Sequence, residues 1–284
     1  MSRVLIESSY DHNHALDFRQ AERENLIMNK LPTSLDIGSI TSYLNYKDSR
    51  REVHSIEFVD DILSRDDAKL LIKYLNRLSV EEITLNISYH HYLEWKDTLN
   101  HIPNFILNVK LPTLDYVTYQ TIYQDSKLTK DEFENGKLEL LNTTIVVELT
   151  ALSNDSLKDT LEELGRLNLN VRLVLPNYAT HKDLQLNPIL GDAEWFSSLL
   201  WNSLQEVTNT DNFVLQGVPP CVFRDTKYPK VNTLKVMNID MSGIVFTPKG
   251  ILDCDRYYTQ YASITQCKDC DYRDFCMKQP INFE

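Results

Sequence analysis

Between about residue 50 and residue 215, apolar runs of strand length alternate with longer amphipathic runs, and this alternation limits the chain to an α/β fold. The runs at 53–58, 82–88, 104–111, 144–150 and 170–175 are rich in Val, Ile, Leu and Thr, the composition of buried strands. Between them, Ala68, Leu71, Ile72, Leu75 and Leu78 recur at spacings of three and four and predict one apolar helical face. Ser64 is its expected cap, with Asp66 and Asp67 in the first turn. A second helix is predicted over 156–167 on the stripe Leu157, Leu161, Leu164 and Leu167, capped by Asn154 or Ser153. A third falls over 193–204, carrying Trp195, Phe196, Leu199, Leu200 and Leu204.

Strand starts lie roughly 25–40 residues apart, the length of a βα unit. Five or six such units predict a parallel sheet covered by helices, a partial and open βα barrel with fewer than eight units. The stretch 122–140 is polar and is the least legible unit, and residues 1–49 show no firm pattern. After Gly217 the texture changes. Val218-Pro219-Pro220-Cys221 cannot continue a helix or a central strand. Farther on, 243–246 and 251–253 flank Thr247-Pro248-Lys249-Gly250 and read as a β-hairpin closed by a Pro/Gly turn. The expected organisation is therefore an N-terminal segment to 49, the partial barrel over 50–217, and a small module over 218–284.

The 284 residues are 42% hydrophobic, enough for a sizeable core, and the formal charge is −12. Phosphate contacts dominate nucleic-acid affinity, so this balance argues against DNA, RNA or an anionic membrane surface. It suits a basic peptide better. No stretch approaches the roughly 18 apolar residues of a membrane helix, and the start lacks the apolar core of a signal peptide. The expected compartment is the cytoplasm, where thiols stay reduced.

All five cysteines lie in the last 64 residues. Cys254 is followed after twelve residues by Cys267, and Cys267-x2-Cys270-x5-Cys276 follows as one tight run. A Cys-x2-Cys turn converges two sulfurs on one ion, and further loop cysteines complete a tetrahedron. Four thiolates suit zinc and a cubane iron–sulfur cluster alike. Buried core cysteines would not cluster after 220 cysteine-free residues. Disulfides do not fit a reducing compartment. A thioredoxin-like pair needs a strand-to-helix junction, whereas this one follows a hairpin.

These residues resemble the SPASM domain, the C-terminal cluster-binding module of radical SAM enzymes that modify ribosomally made peptides. The matching positions are Gly250, Cys254 and Cys267-x2-Cys270-x5-Cys276, with Pro219-Pro220-Cys221 similar to the junction between barrel and module. The resemblance covers roughly residues 50–280. It implies a 4Fe-4S cluster, with zinc as the alternative, on Cys254, Cys267, Cys270 and Cys276, and Cys221 as an alternate ligand. The family's catalytic Cys-x3-Cys-x2-Cys is missing, since no cysteine precedes Cys221. Its Gly-Gly-Glu motif after the second strand is replaced by Val59-Asp60-Asp61, and no cysteine follows Cys276 for a second cluster. The resemblance thus implies a pseudo-radical-SAM/SPASM protein of bacterial peptide-maturation systems, bound to a precursor peptide or partner maturase and without S-adenosylmethionine chemistry.

Other chemistry is sparse. No Ser–His–Asp order, Gly-x-Ser-x-Gly or Walker loop is present. Asp60 and Asp61 follow a strand but precede a helix, where acidic residues are commonplace. His90-His91 reads as a surface pair or one at a helix start. The strand-end positions Asn86, Ser88, Lys110, Thr150 and Asn177 would line the mouth of the barrel and are the candidate peptide contacts. Tyr257, Tyr258 and Tyr261 read as packing beside the cysteines.

Overall fold

The computed structural model describes residues 2–8, 34–50, 52–123, 126–140, 142–149, 151–174, 193–216, 235–237, 243–247 and 250–253. The cysteines, Thr150, Asn177 and the tyrosines at 257, 258 and 261 lie outside these residues. The chain forms two compact units, and the first combines residues 19–110 with 1–13 and 241–258.

In the first unit the parallel strands β1 (Ser2–Ile6), β2 (Val53–Phe58), β3 (Glu82–Ser88) and β4 (Phe105–Lys110) follow one another across the sheet. Helices α1 (Ile37–Ser49), α2 (Ala68–Leu75) and α3 (Tyr89–Leu99) connect or follow them. The chain start, without a pattern in the sequence, thus supplies a strand and a helix. On one sheet face Val4, Ile6, Ile56, Phe58, Ile83, Leu85, Ile87 and Val109 are fully or almost fully buried. Ile40 and Leu44 of α1 and Leu71, Ile72 and Leu75 of α2 are buried with them. Asp36 caps α1 by accepting from the Ser39 amide at 2.8 Å.

The expected cap on α2 is corrected. Ser64 belongs to a 3₁₀ turn, Ile62–Ser64, that precedes the helix, and its hydroxyl bonds the Asp61 carbonyl at 2.7 Å. Asp67 occupies the cap position but makes no side-chain cap bond, because both its oxygens take the Arg65 guanidinium at 2.7 and 2.8 Å. The helix ends at Leu75, so buried Leu78 lies just past it.

Strands β9 (Ile244–Thr247) and β10 (Gly250–Asp253) form the expected antiparallel hairpin. It joins the first unit's sheet: β9 runs parallel to β1, with Val4, Leu5 and Ile6 opposite Ile244, Val245 and Phe246. Gly243 enters β9 at φ 98°, and a Cβ there would overlap the Arg3 carbonyl. Phe246 stacks on Tyr43 of α1 with ring centroids 4.4 Å apart. Burial, with the charge of Glu52, pushes the Tyr43 hydroxyl up to about 12.

The second unit is built mainly from residues 111–240. Its parallel strands are β5 (Thr144–Glu148), β6 (Asn170–Val174), β7 (Phe213–Gln216) and β8 (Lys235–Met237), adjacent in that order. Its helices are α4 (Tyr116–Ile122), α5 (Lys130–Gly136), α6 (Asn154–Arg166) and α7 (Ala193–Glu206). The stripe Leu157, Leu161 and Leu164 of α6 is buried, as are Leu200, Trp201 and Leu204 of α7, and the two helices pack together. Within the polar stretch 122–140, Lys130–Gly136 forms a seven-residue helix with a full capping box between Thr129 and Glu132, and a 3₁₀ turn over Lys137–Leu140 follows. Phe133 fastens the helix to Tyr119, with ring centroids 5.0 Å apart. The α/β class and the open, parallel sheet expected from the sequence are present in both units.

Gly165 shows where packing outranks propensity. Alanine in a helix interior is ordinarily better than glycine by about 0.5–1 kcal/mol. Here its Cβ would stand 2.7 Å from the Asn209 carbonyl oxygen and 2.7 Å from Val207 Cγ1. Gly165→Ala is therefore expected to destabilise by about 1–3 kcal/mol, read as a lower urea midpoint. A higher midpoint would show that the turn at Val207–Asn209 yields freely.

Candidate functional site

Parallel sheets are usually apolar on both faces. The first unit's sheet departs from this: its other face carries, beside buried Leu5, Arg3 on β1, Glu57 on β2, Thr84, Asn86 and Ser88 on β3, and Asn108 and Lys110 on β4. Register places Asn86 beside Asn108 and Ser88 beside Lys110. Three of the expected strand-end residues, Asn86, Ser88 and Lys110, are thus brought to one face near the carboxyl ends of the strands.

A directed chain of hydrogen bonds crosses the four strands. Asn86 Nδ2 donates to the Phe58 carbonyl at 2.7 Å and to Glu57 Oε1 at 3.2 Å. A carbonyl only accepts, so the Asn86 amide is oriented by it. Asn86 Oδ1 then accepts from Asn108 Nδ2 at 2.9 Å. Arg3 closes the other end with an ion pair to Glu57. Asn108 is 1% exposed, while Arg3, Glu57 and Asn86 are half-buried. Asn86 thus bonds both neighbouring strands, β2 and β4.

At the strand exits the two consecutive aspartates point opposite ways. Asp60, 2% exposed, accepts from the Ser8 backbone N–H at 2.7 Å and from its hydroxyl, and so fastens the exit of β1. Asp61 reaches forward to β3, where its Oδ2 accepts from the Ser88 N–H and hydroxyl, both at 2.7 Å. His91, in the first turn of α3, brings Nδ1 within 2.9 Å of the same oxygen. Asp61 Oδ1 accepts from the Leu63 N–H at 3.0 Å and starts the 3₁₀ turn. Burial by itself would raise Asp61; the His91 hydrogen bond and charge, with both Ser88 donors, outweigh it and hold the carboxyl down at about 2.

Sequence reading placed Ser88 at a strand end and the histidines at a helix start, and it missed that Asp61, Ser88 and His91 converge. The missing signal is tertiary, since Ser88 and His91 come from 27 and 30 residues beyond Asp61. The histidines stand at a helix start, one of the two places expected of them, with His90 9% exposed and His91 half-buried. The trio is not a nucleophile relay. In such a relay the carboxylate and the hydroxyl engage opposite ring nitrogens. Here both meet Nδ1, Ser88 gives its own proton to Asp61, and Ser88 is 3% exposed. Among the described residues no group of three or more His, Cys, Asp or Glu side chains is arranged to hold a metal ion. Among them, too, no helix is long and apolar enough to cross a membrane.

No family model matches the chain, and no curated protein does. Solved structures do. Streptococcus suis SuiB bound to precursor peptide SuiA is similar at a TM-score of 0.56 and 12% identity, over 98% of this chain and 65% of that one. SuiB bound to S-adenosylmethionine is similar at 0.55 and 12% identity, over 99% of this chain and 72% of that one. In the first of these the chain spans less than two thirds of SuiB. At such identity the likeness shows the fold, an α/β chain with an open parallel sheet.

Proposed function

We propose that this chain is an accessory protein of ribosomal-peptide maturation. It binds a precursor peptide or a partner maturase, and it does not itself cleave S-adenosylmethionine. The observation that carries this reading is the fold, shared over 98% of the chain with a protein bound to its precursor peptide. The SPASM-like cysteine spacing supports it independently. The strand-end positions Asn86, Ser88, Lys110, Thr150 and Asn177 are its proposed peptide contacts, and a reducing compartment is its proposed setting.

The degenerate character rests on what stands at the strand exits. No cysteine occurs between β1 and β2, the place where the resemblance puts a catalytic cluster. After β2 a buried aspartate, Asp60, is committed to Ser8. The proposed cofactor belongs to the module after Gly217. Four thiolates, from Cys254, Cys267, Cys270 and Cys276, fit a 4Fe-4S cluster, with zinc as the alternative and Cys221 as a substitute ligand. A cluster so ligated supplies structure or electron transfer. With every iron taken by a thiolate it offers no open position for substrate.

Anaerobic purification with metal and sulfide analysis tests this. Iron and sulfide in equal amounts with broad visible absorbance are expected, and Cys267→Ser combined with Cys270→Ser should abolish stoichiometric metal. Stoichiometric zinc would leave a stapled interaction module and remove the electron-transfer version. Incubation of the reduced protein with S-adenosylmethionine should yield no 5′-deoxyadenosine; its formation would make the chain an active maturase component.

A further inference from the structure

The outer face of α2 carries a charge of the opposite sign to the chain as a whole. The sequence has 41 acidic against 29 basic residues. Yet Lys69, Lys73 and Arg77 are all exposed here, and Asp66 is the only exposed acid between residues 65 and 80. Lys69 and Lys73 stand one turn apart, and the chain still turns at Arg77, whose N–H donates to the Tyr74 carbonyl at 2.9 Å. The three cations span roughly 12 Å on the side opposite buried Ala68, Leu71, Ile72 and Leu75. Leu70 stands beside them, 63% exposed. Helix stability does not account for the set: Lys73 in the last turn suits the dipole, but Lys69 in the first turn opposes it. Nor do the chain's own carboxylates use it. Nearby Lys47, Arg50 and Arg65 pair with Glu52 and Asp67, whereas among the described residues no ion pair involves Lys69, Lys73 or Arg77. A single exposed leucine is ordinary; beside three unpaired cations it supplies the apolar centre of a small contact.

We infer that the outer face of α2 docks an acidic segment of a partner protein, with carboxylates on Lys69, Lys73 and Arg77 and an apolar side chain on Leu70. The Arg77 guanidinium offers a carboxylate two parallel N–H donors, and the lysines act as point charges. A partner helix with carboxylates at i, i+4 and i+8 repeats the spacing of the cations. Nucleic acid and anionic membranes also carry negative charge, but over a wide surface. Either would meet the acidic remainder of a chain of net charge −12 together with the stripe. A narrow helix reaches the stripe alone. The contact is small and polar, so its affinity is modest, steered by charge and weakened by salt. It uses neither the strand-end positions nor the cysteine module, so it stands or falls apart from the maturation reading.

The probe is a synthetic helical peptide with Glu at i, i+4 and i+8 and Leu beside them, compared with its counterpart carrying Lys for Glu. In ¹H–¹⁵N spectra of the full chain, the acidic peptide should shift the amides of residues 69–77 to saturation, and the basic one should leave them in place. Lys69→Glu combined with Lys73→Glu should weaken binding by about tenfold or more. A rise in salt from about 0.01 to about 0.15 M should do the same, and Leu70→Ser should cost about threefold. These side chains are exposed, so the variants should keep the parent's urea midpoint. Absence of shifts in residues 69–77, equal binding of the basic peptide, or unchanged affinity in the double variant would overturn the inference. So would co-sedimentation with phosphatidylglycerol vesicles that the double variant abolishes, since the face would then belong to a membrane.

Discussion

Alanine at Gly243 is expected to detach the β9–β10 hairpin from β1 and to cost about 3 kcal/mol. Two effects add. The residue sits at φ 98°, where a side chain is strained, and its Cβ would overlap a backbone carbonyl, that of Arg3, which has little freedom to move. The register of Val4, Leu5 and Ile6 against Ile244, Val245 and Phe246 leaves no slack, since a slip of one residue exchanges the two sheet faces. The expected readout is a lowered urea midpoint together with faster amide exchange in residues 3–6. Ile251→Ala on β10 is the control: that side chain is 56% exposed, and its loss should cost under about 0.5 kcal/mol. Equal effects for the two variants would mean the Arg3 contact does not set the docking.

Asparagine at Asp61 is the second large effect. It removes the charge from a buried pair and turns an amide N–H₂ toward donors, at a cost of about 3 kcal/mol. The acid limb of the stability curve identifies the group. Asp61 falls from 3.8 in an ordinary setting to about 2 when folded, so its contribution is complete above pH 4 and disappears as pH falls through 2. A depression of nearly two units is worth about 2 kcal/mol. Asp61→Asn should therefore be less stable than the parent at neutral pH, and the gap should narrow between pH 4 and 2. A gap constant across that window would assign the acid sensitivity elsewhere.

What the sequence made legible follows from locality. The runs 53–58 and 82–88 coincide with β2 and β3 because apolar residues recur at every second position there, Ile56 and Phe58 in one and Ile83, Leu85 and Ile87 in the other. The leucine stripe of α6 is a local pattern of the same kind. β1 has only five residues and no turn signal before it, so it left no trace. α3 escaped because it begins directly after Ser88 without a break, and its buried residues are Tyr89, His90 and Tyr92 with a single leucine, Leu99. The consecutive aspartates looked like ordinary acids ahead of a helix. Their roles in joining β1, β2 and β3 depend on which strands become neighbours, and spacing along the chain does not encode that.

The pairing of β1 with β9 also has a meaning for the order in which the protein can be made. Val4 lies opposite Ile244, about 240 residues away in sequence. β1 can zip to β2 early, but its other edge waits for about 240 further residues to leave the ribosome. At 5–20 residues per second that wait is roughly 10–50 s. Through it the nascent chain shows a short apolar strand, Val4-Leu5-Ile6, with one side unpaired, the kind of edge that invites pairing with other chains. The hairpin of β9 and β10 thus covers the second edge of β1, and a chain stalled before residue 244 is left with that edge open.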